Sequence, residues 1–258
     1  GVQTCALPIW WIVTQNPTRE ILKGDVAVDD ERIIYVGSDY RDSADREIDA
    51  SGDIVMPGMI NTHTHVAMSV MKGSLDDLLF PDFLEASFKV DADRTDYDLE
   101  IGTKLGCMEM IRGGTTTFMD LYYSEDVIAK ATQEAGIRGV LCWCVLDEDK
   151  TTQTGNPLKN CIRFHETHKD KRKIIPGVGL QGVYVCDEET CVGAKEYSDK
   201  ENLPMNFHLS ETRGEVNQHR RSTGKRPGEW MADLDIFGPR GVAAHSAYLT
   251  LNEVRLMG

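Results

Sequence analysis

The run SGDIVMPGMINTHTHVAM, residues 51–68, decides how the rest of the chain is read. An apolar segment, Ile54-Val55-Met56, meets Pro57-Gly58. A second, Met59-Ile60, runs into Asn61-Thr62-His63-Thr64-His65. On a strand, side chains two apart share a face. His63 and His65 therefore project together from a strand end, two imidazoles aimed at one point. Neutral imidazole is a borderline-soft ligand that suits zinc, iron or nickel, so the pair can begin a metal site without zinc-finger spacing. The competing reading is a chance H-x-H on a strand of ordinary polarity, and the rest of the chain weighs between the two.

Downstream of residue 53, apolar strand-like runs alternate with helical stretches. The strands read at 53–62, Thr115–Leu121, Gly139–Leu146, Ile174–Gln181, Leu203–Leu209 and Gly241–Ala244. Helices read at Tyr97–Arg112, Ser124–Ala135, Pro157–Lys169, Glu188–Lys200 and Pro227–Asp233, with Gly113-Gly114 and Gly136 as stops. Repeated βα units imply an α/β fold with a parallel sheet and right-handed crossovers. No G-x-G-x-x-G opens a helix after the first strand, so a (β/α)8 TIM barrel is favoured over a dinucleotide-binding sheet. About six βα units are present, and Asn252–Gly258 reads as a helix cut mid-way. The expectation is a barrel over 53–258 that stops before strands seven and eight.

Upstream, residues 11–52 alternate short β-like runs with turns, such as Ile21–Val28, Asp29–Arg32 and Ile33–Gly37. They read as a small N-terminal β-sandwich. Residues 1–10, GVQTCALPIW, fit nothing that follows and resemble translated sequencing-adapter read-through; they are expected to be an artefactual extension.

The chain has 258 residues and a net charge of -14, with 27% charged and 41% hydrophobic residues, the balance of an ordinary globular protein. Such a charge repels nucleic acid and anionic membrane surfaces, which leaves a small-molecule ligand as the expected partner. The sequence shows neither an apolar run of about 18 residues nor a signal peptide, and a cytoplasmic location is expected. A homo-oligomer is compatible with all of this. The seven cysteines, including Cys142-x-Cys144 and the pair Cys186 and Cys191, form no CxxC and read as reduced, buried thiols rather than metal ligands.

Barrel active sites sit at the C-terminal ends of the strands. Three of the strands end in histidine: His63 and His65 on the first, His208 on the fifth, His245 on the sixth. Each has a plainer alternative. His208 alone could be a hydrogen-bonded core histidine, Glu211 a carboxylate near a helix start, and His245 a polar group under a loop. Four histidines at the same ends of three strands favour a metal-centred site. His165, His168 and His219 fall on charged stretches that read as solvated faces.

PGMINTHTH (57–65), MSVMKGSLDD (68–77), MEMIRGGTTTFMDLYY (108–123), HLSET (208–212) and AAHSAYLT (243–250) together resemble the amidohydrolase superfamily. Within it, the chain is similar to the methylthioadenosine/S-adenosylhomocysteine deaminases and their triazine-hydrolase relatives. The resemblance implies that His63, His65 and His208 bind one divalent metal, zinc first, with iron or manganese as alternatives. It places a fourth ligand, an aspartate, beyond the last residue of this sequence. It implies that Glu211 shuttles a proton between water and the leaving amine, and that His245 orients or deprotonates the water. Two-metal relatives use a lysine on the fourth strand; here that strand ends Gly179-Leu180-Gln181-Gly182, so one metal is expected.

The implied reaction is hydrolytic deamination of a purine-nucleoside-like compound. A metal-activated water adds to a ring carbon, and the amine leaves as ammonia once protonated. The pocket departs from the family pattern. Gln181 stands where the family has a histidine, Asp91 is the only carboxylate near the family's glutamate position, and Trp143 stands where some members have an arginine. These three are the candidate substrate-binding residues, with Trp143 able to stack on a ring or to fill core. A triazine, guanine or cytosine-type hydrolase, or a catalytically inert fragment, are the alternative readings.

Overall fold

The computed structural model describes residues 3–258. The chain forms two compact units, Gly1–Gly58 and Met59–Gly258.

In the first unit four strands, β1 (Gln3–Val13), β2 (Ile21–Asp29), β3 (Arg32–Gly37) and β4 (Arg46–Val55), form one sheet of order β3-β2-β1-β4. β1 runs antiparallel to β2 and parallel to β4. Ile12, Val26 and Ala50 are its buried centre. The strand β1 extends into the segment set aside as adapter-like. A run such as Ala6-Leu7-Pro8-Ile9-Trp10-Trp11-Ile12-Val13 is rich in the branched and aromatic residues that suit a pleated surface, whatever its origin.

The second unit opens with β5 (Met59–Thr64) and a short 3-10 helix over Val66–Met71. Then come α1 (Phe80–Asp93), α2 (Asp96–Arg112), β6 (Thr115–Tyr122), α3 (Glu125–Ala135), β7 (Arg138–Val145) and α4 (Pro157–His168). They are followed by β8 (Ile174–Leu180), α5 (Glu188–Lys200), β9 (Met205–Leu209), α6 (Arg213–Thr223), α7 (Pro227–Asp233), β10 (Gly241–His245) and α8 (Leu251–Leu256). Six parallel strands make a sheet of order β10-β9-β8-β7-β6-β5, the expected α/β barrel architecture. The central strands are covered on both faces, so their sequences are nearly continuous apolar runs rather than alternating ones. Phe118, Leu141, Val178, Leu180 and Phe207 are fully buried there.

The single strand expected at 53–62 is two strands. Ile54 and Val55 finish β4, and β5 starts at Met59. Pro57 lacks the N–H a ladder needs, so the chain breaks there and the units part after Gly58, later than the expected residue 52. The helices α1 and α6 escaped the sequence reading. The former starts at a Pro in its first turn, and the latter carries a capping box in which the Thr212 hydroxyl and the Glu215 carboxylate satisfy each other's backbone N–H.

His165, His168 and His219 are buried, not solvated. Cys161, Phe164, His165 and His168 fall at the i, i+3, i+4 and i+7 positions of α4 and form its inner face. The His219 ring packs edge-on against Trp230 at 5.1 Å. The lysines and arginines around them hid that face. Cys107, Cys142, Cys144, Cys161, Cys186 and Cys191 are buried free thiols, as expected. Among the described residues, no helix is long and apolar enough to cross a membrane.

Candidate metal centre

β5, β9 and β10 deliver their last residues to one place. The strands β5 and β10 are the two ends of the sheet, yet the His63 and His245 rings are 5.2 Å apart, so the sheet curls almost closed on itself. His63, His65 and His208 can each offer one ring nitrogen within 4.8 Å of the others.

Each of these rings is held at Nδ1. His65 Nδ1–H donates to the Leu121 carbonyl at 2.6 Å, and His208 Nδ1–H to the Gln181 carbonyl at 2.6 Å. His63 Nδ1 lies 3.0 Å from Asn206 Oδ1. A carbonyl can only accept, so the Nε2 atoms of His65 and His208 carry lone pairs in the neutral rings. Those two atoms face each other at 3.3 Å, and His63 Nε2 is buried with no hydrogen-bond partner. Lone pairs brought together in this way need a shared cation. Three imidazoles with their outer nitrogens tied down are a donor set that fits a divalent metal such as zinc. Burial and the neighbouring rings push His65 down to about 4 and His208 well below the usual imidazole range, while burial alone is the main cause at His63. All three are therefore neutral and free to ligate at pH 7.

Glu211 and His245 flank the cluster. His245 Nε2 is 3.6 Å from Glu211 Oε1, and its ring stacks on His208 at 5.3 Å. Burial, helped by Glu215, raises the Glu211 carboxyl to about 7. Both residues sit where the chain turns sharply: Ser210, His245 and Ser246 have φ of 48°, 63° and 52°. Such left-handed residues without glycine mark strain that the surrounding packing must hold.

Two supporting residues were not found from sequence. The Glu215 carboxylate accepts the backbone N–H groups of Ser210 and Glu211, at 3.1 and 2.7 Å, and so clamps the turn that carries Glu211. The pattern Thr212-x-x-Glu215 was its visible signal. Asp120 on β6 accepts the Val66 N–H at 2.6 Å, holding the turn that follows His65. A lone aspartate in Phe118-Met119-Asp120 carried no such signal.

A cavity of about 340 Å³ opens beside the cluster, with His65 in its lining. Phe83, Leu84 and Phe88 of α1 line it, together with Tyr122, Tyr123 and Gln181. The Gln181 amide is oriented: Cys144 Sγ donates to its Oε1 at 3.1 Å and its Nε2 donates to Tyr184 Oη at 3.2 Å. Asp91 also lines the cavity, but its carboxylate pairs with Arg94 at 2.9 Å and accepts the Tyr122 hydroxyl at 2.6 Å. Trp143 is not brought to the site. Its ring packs on Phe164 of α4 and under Arg163, and its indole N–H donates to Gln153 at 2.8 Å. It faces the helical layer because alternate side chains of β7 point away from the barrel interior.

Comparison with known proteins agrees with this geometry. Residues 54–257 match the model of the amidohydrolase family. The chain is 36% identical to a 5'-deoxyadenosine deaminase of Methanothrix thermoacetophila, covering 90% of this chain and 55% of that protein. It is 35% identical to a 5-methylthioadenosine/S-adenosylhomocysteine deaminase of Thermodesulfovibrio yellowstonii, covering 96% and 59%. The chain thus spans little more than half the length of these relatives. An adenosine deaminase from Xanthomonas campestris, solved with bound zinc, superposes with a TM-score of 0.91 at 25% identity over 98% of this chain and 59% of that one. With its strand-end histidines gathered at one mouth of the barrel and residues 54–257 matched to the family model, the chain belongs to the amidohydrolase family.

Proposed function

We propose that the protein carrying this chain is a metal-dependent aminohydrolase. It removes the ring amine of a purine-nucleoside-like compound, of the 5'-deoxyadenosine or methylthioadenosine type, and releases ammonia. One observation carries this reading: three imidazoles converge beside Glu211 and His245, next to a cavity walled by aromatic side chains. The names of relatives at 36% and 35% identity support the substrate class, and the zinc of the solved relative at 25% identity supports the metal.

His63, His65 and His208 would hold one divalent ion through Nε2, zinc before iron or manganese. When bound, the ion supplies Lewis acidity that makes water acidic near neutral pH. Glu211 moves the proton. A carboxyl at about 7 can take a proton from water and return it to the departing amine at neutral pH. His245, whose Nε2 lies 3.6 Å from Glu211, would orient the same water, its imidazole kept neutral by burial and by His63. Gln181 keeps one Nε2 hydrogen free after its bond to Tyr184 and offers it to a ring nitrogen. Asp91, tied to Arg94 and Tyr122, fixes the cavity wall.

The test is metal content together with ammonia release. The panel holds 5'-deoxyadenosine, methylthioadenosine, S-adenosylhomocysteine, adenosine, guanine, cytosine and a chlorotriazine. About one metal per chain and turnover of an adenosyl compound are expected. Turnover of guanine, cytosine or the triazine alone would overturn the substrate class. A protein that binds no metal would overturn the mechanism.

A further inference from the structure

We propose that Asn206 is a positioning residue of the metal centre: its side-chain carbonyl sets the tautomer and aim of His63. The inference rests on the metal-binding reading above, and it concerns the one ligand whose outer partner is a side chain. His65 and His208 are oriented by main-chain carbonyls, of Leu121 and Gln181, which no substitution removes. His63 is oriented by Asn206 Oδ1 at 3.0 Å.

Asn206 is fully buried on β9, two residues before His208. Side chains two apart on a strand share a face, so β9 supplies one ligand and the orienting group of another. The direction of the amide follows from its surroundings. Asn206 Nδ2 lies 3.4 Å from the Thr62 carbonyl and 3.3 Å from Met119 Sδ, and neither can donate. The NH₂ end must face them, and Oδ1 must face His63. Oδ1 has only lone pairs to offer, so the hydrogen of the neutral His63 ring sits on Nδ1. That leaves the His63 Nε2 lone pair free, on the buried atom that has no other partner. An apolar residue at 206 would release the tautomer and let the ring turn. A carboxylate there would keep the acceptor.

The test compares wild type, Asn206→Leu and Asn206→Asp. Each metal-free protein is titrated with Zn²⁺ against a chromophoric chelator, and the visible spectrum of the Co²⁺ form reports the ligand set. Outer partners of metal-bound histidines typically contribute about 10- to 100-fold in affinity. Asn206→Leu should weaken Zn²⁺ binding by that factor and change the Co²⁺ spectrum, while Asn206→Asp, which keeps an acceptor at His63 but sets its second oxygen against the Thr62 carbonyl, should lose clearly less than the Leu variant. Equal affinity in wild type and the Leu variant, or equal loss in both variants, would overturn the proposal. Circular dichroism checks that each variant is folded. Nitrogen-15 NMR of the metal-free wild-type imidazoles needs no variant at all: His63 protonated at Nδ1 is expected, and protonation at Nε2 would overturn the assignment. Failure of wild type to bind Zn²⁺ would instead count against the metal reading itself.

Discussion

At the residue scale the proposed proton transfer rests on Glu211, a half-buried carboxyl raised to about 7 by burial and Glu215. Glu211→Gln keeps the shape and removes the transferable proton. Turnover should fall by about 10²- to 10⁴-fold, the usual contribution of a general acid–base group, with metal content unchanged. Wild-type turnover in that variant would remove Glu211 from the mechanism; lost metal would make it a structural support. His63, His65, His208 and His245 were legible as candidates because each sits at the end of a strand-like run, and Glu211 through the motif resemblance that the run His208–Thr212 carries. Asn206 stood in plain view in Met205-Asn206-Phe207-His208, yet nothing local says that it meets a histidine 143 residues away. Trp143, read as either a ring-stacking residue or core filler, is the opposite case. Its position in the family pattern suggested the pocket, and strand alternation turned it to the helices instead.

At the scale of elements, α2 lies unusually close to the 3-10 helix that follows His65. A Cβ at Gly102 would meet the Ala67 carbonyl oxygen at 2.1 Å, and one at Gly106 would meet Val66 and Ser69 side chains at 2.7 Å. The two glycines are one helical turn apart on one face, so they form the groove into which that segment settles. Gly102→Ala must push backbone from backbone and should cost about 1–3 kcal/mol in urea unfolding. Gly238, with open space around it and no left-handed φ, is the control: Ala there should change stability by no more than about 1 kcal/mol. Equal effects at both sites would mean the close approach is not a constraint. Helices with a clear apolar stripe and a Gly stop, such as α3, were readable in full; α4 was readable as a helix, but its inward face was not, since that face includes two histidines among basic neighbours.

For the whole molecule, three buried imidazoles make stability depend on pH. Their folded pKa values lie below the ordinary 6.5, with His65 at about 4. Between those values the unfolded chain binds more protons than the folded one, so stability rises with pH. The contribution is complete above about 6.5 and is lost as pH falls toward 4. Buried carboxyls such as Glu211, raised to about 7, work in the opposite direction, so the histidine contribution is read as a difference: metal-free wild type should lose more melting temperature between pH 7.5 and pH 5 than its His65→Phe variant. Saturating Zn²⁺ at pH 7.5 should raise the melting temperature, since a ligand at 100 times its Kd adds about 2.7 kcal/mol. The same pH dependence in wild type and the His65 variant, together with a melting temperature that ignores Zn²⁺, would mean that the rings are neither buried as described nor a site.

The sequence by itself determined the alternation of strands and helices, the α/β class, the strand-end histidines and the resemblance that they carry. These are written in short-range patterns: period two, period 3.6, turn residues and a motif within a few positions. Only the tertiary structure decided that β5 and β10 curl toward each other, that one ring nitrogen from each of three histidines comes within 4.8 Å of the others, and that Asn206, Asp120 and Glu215 hold the turns and rings around them. The physical reason is distance along the chain. A side chain's partner across a barrel is set by how six strands twist and close, and no local pattern of residues encodes that closure.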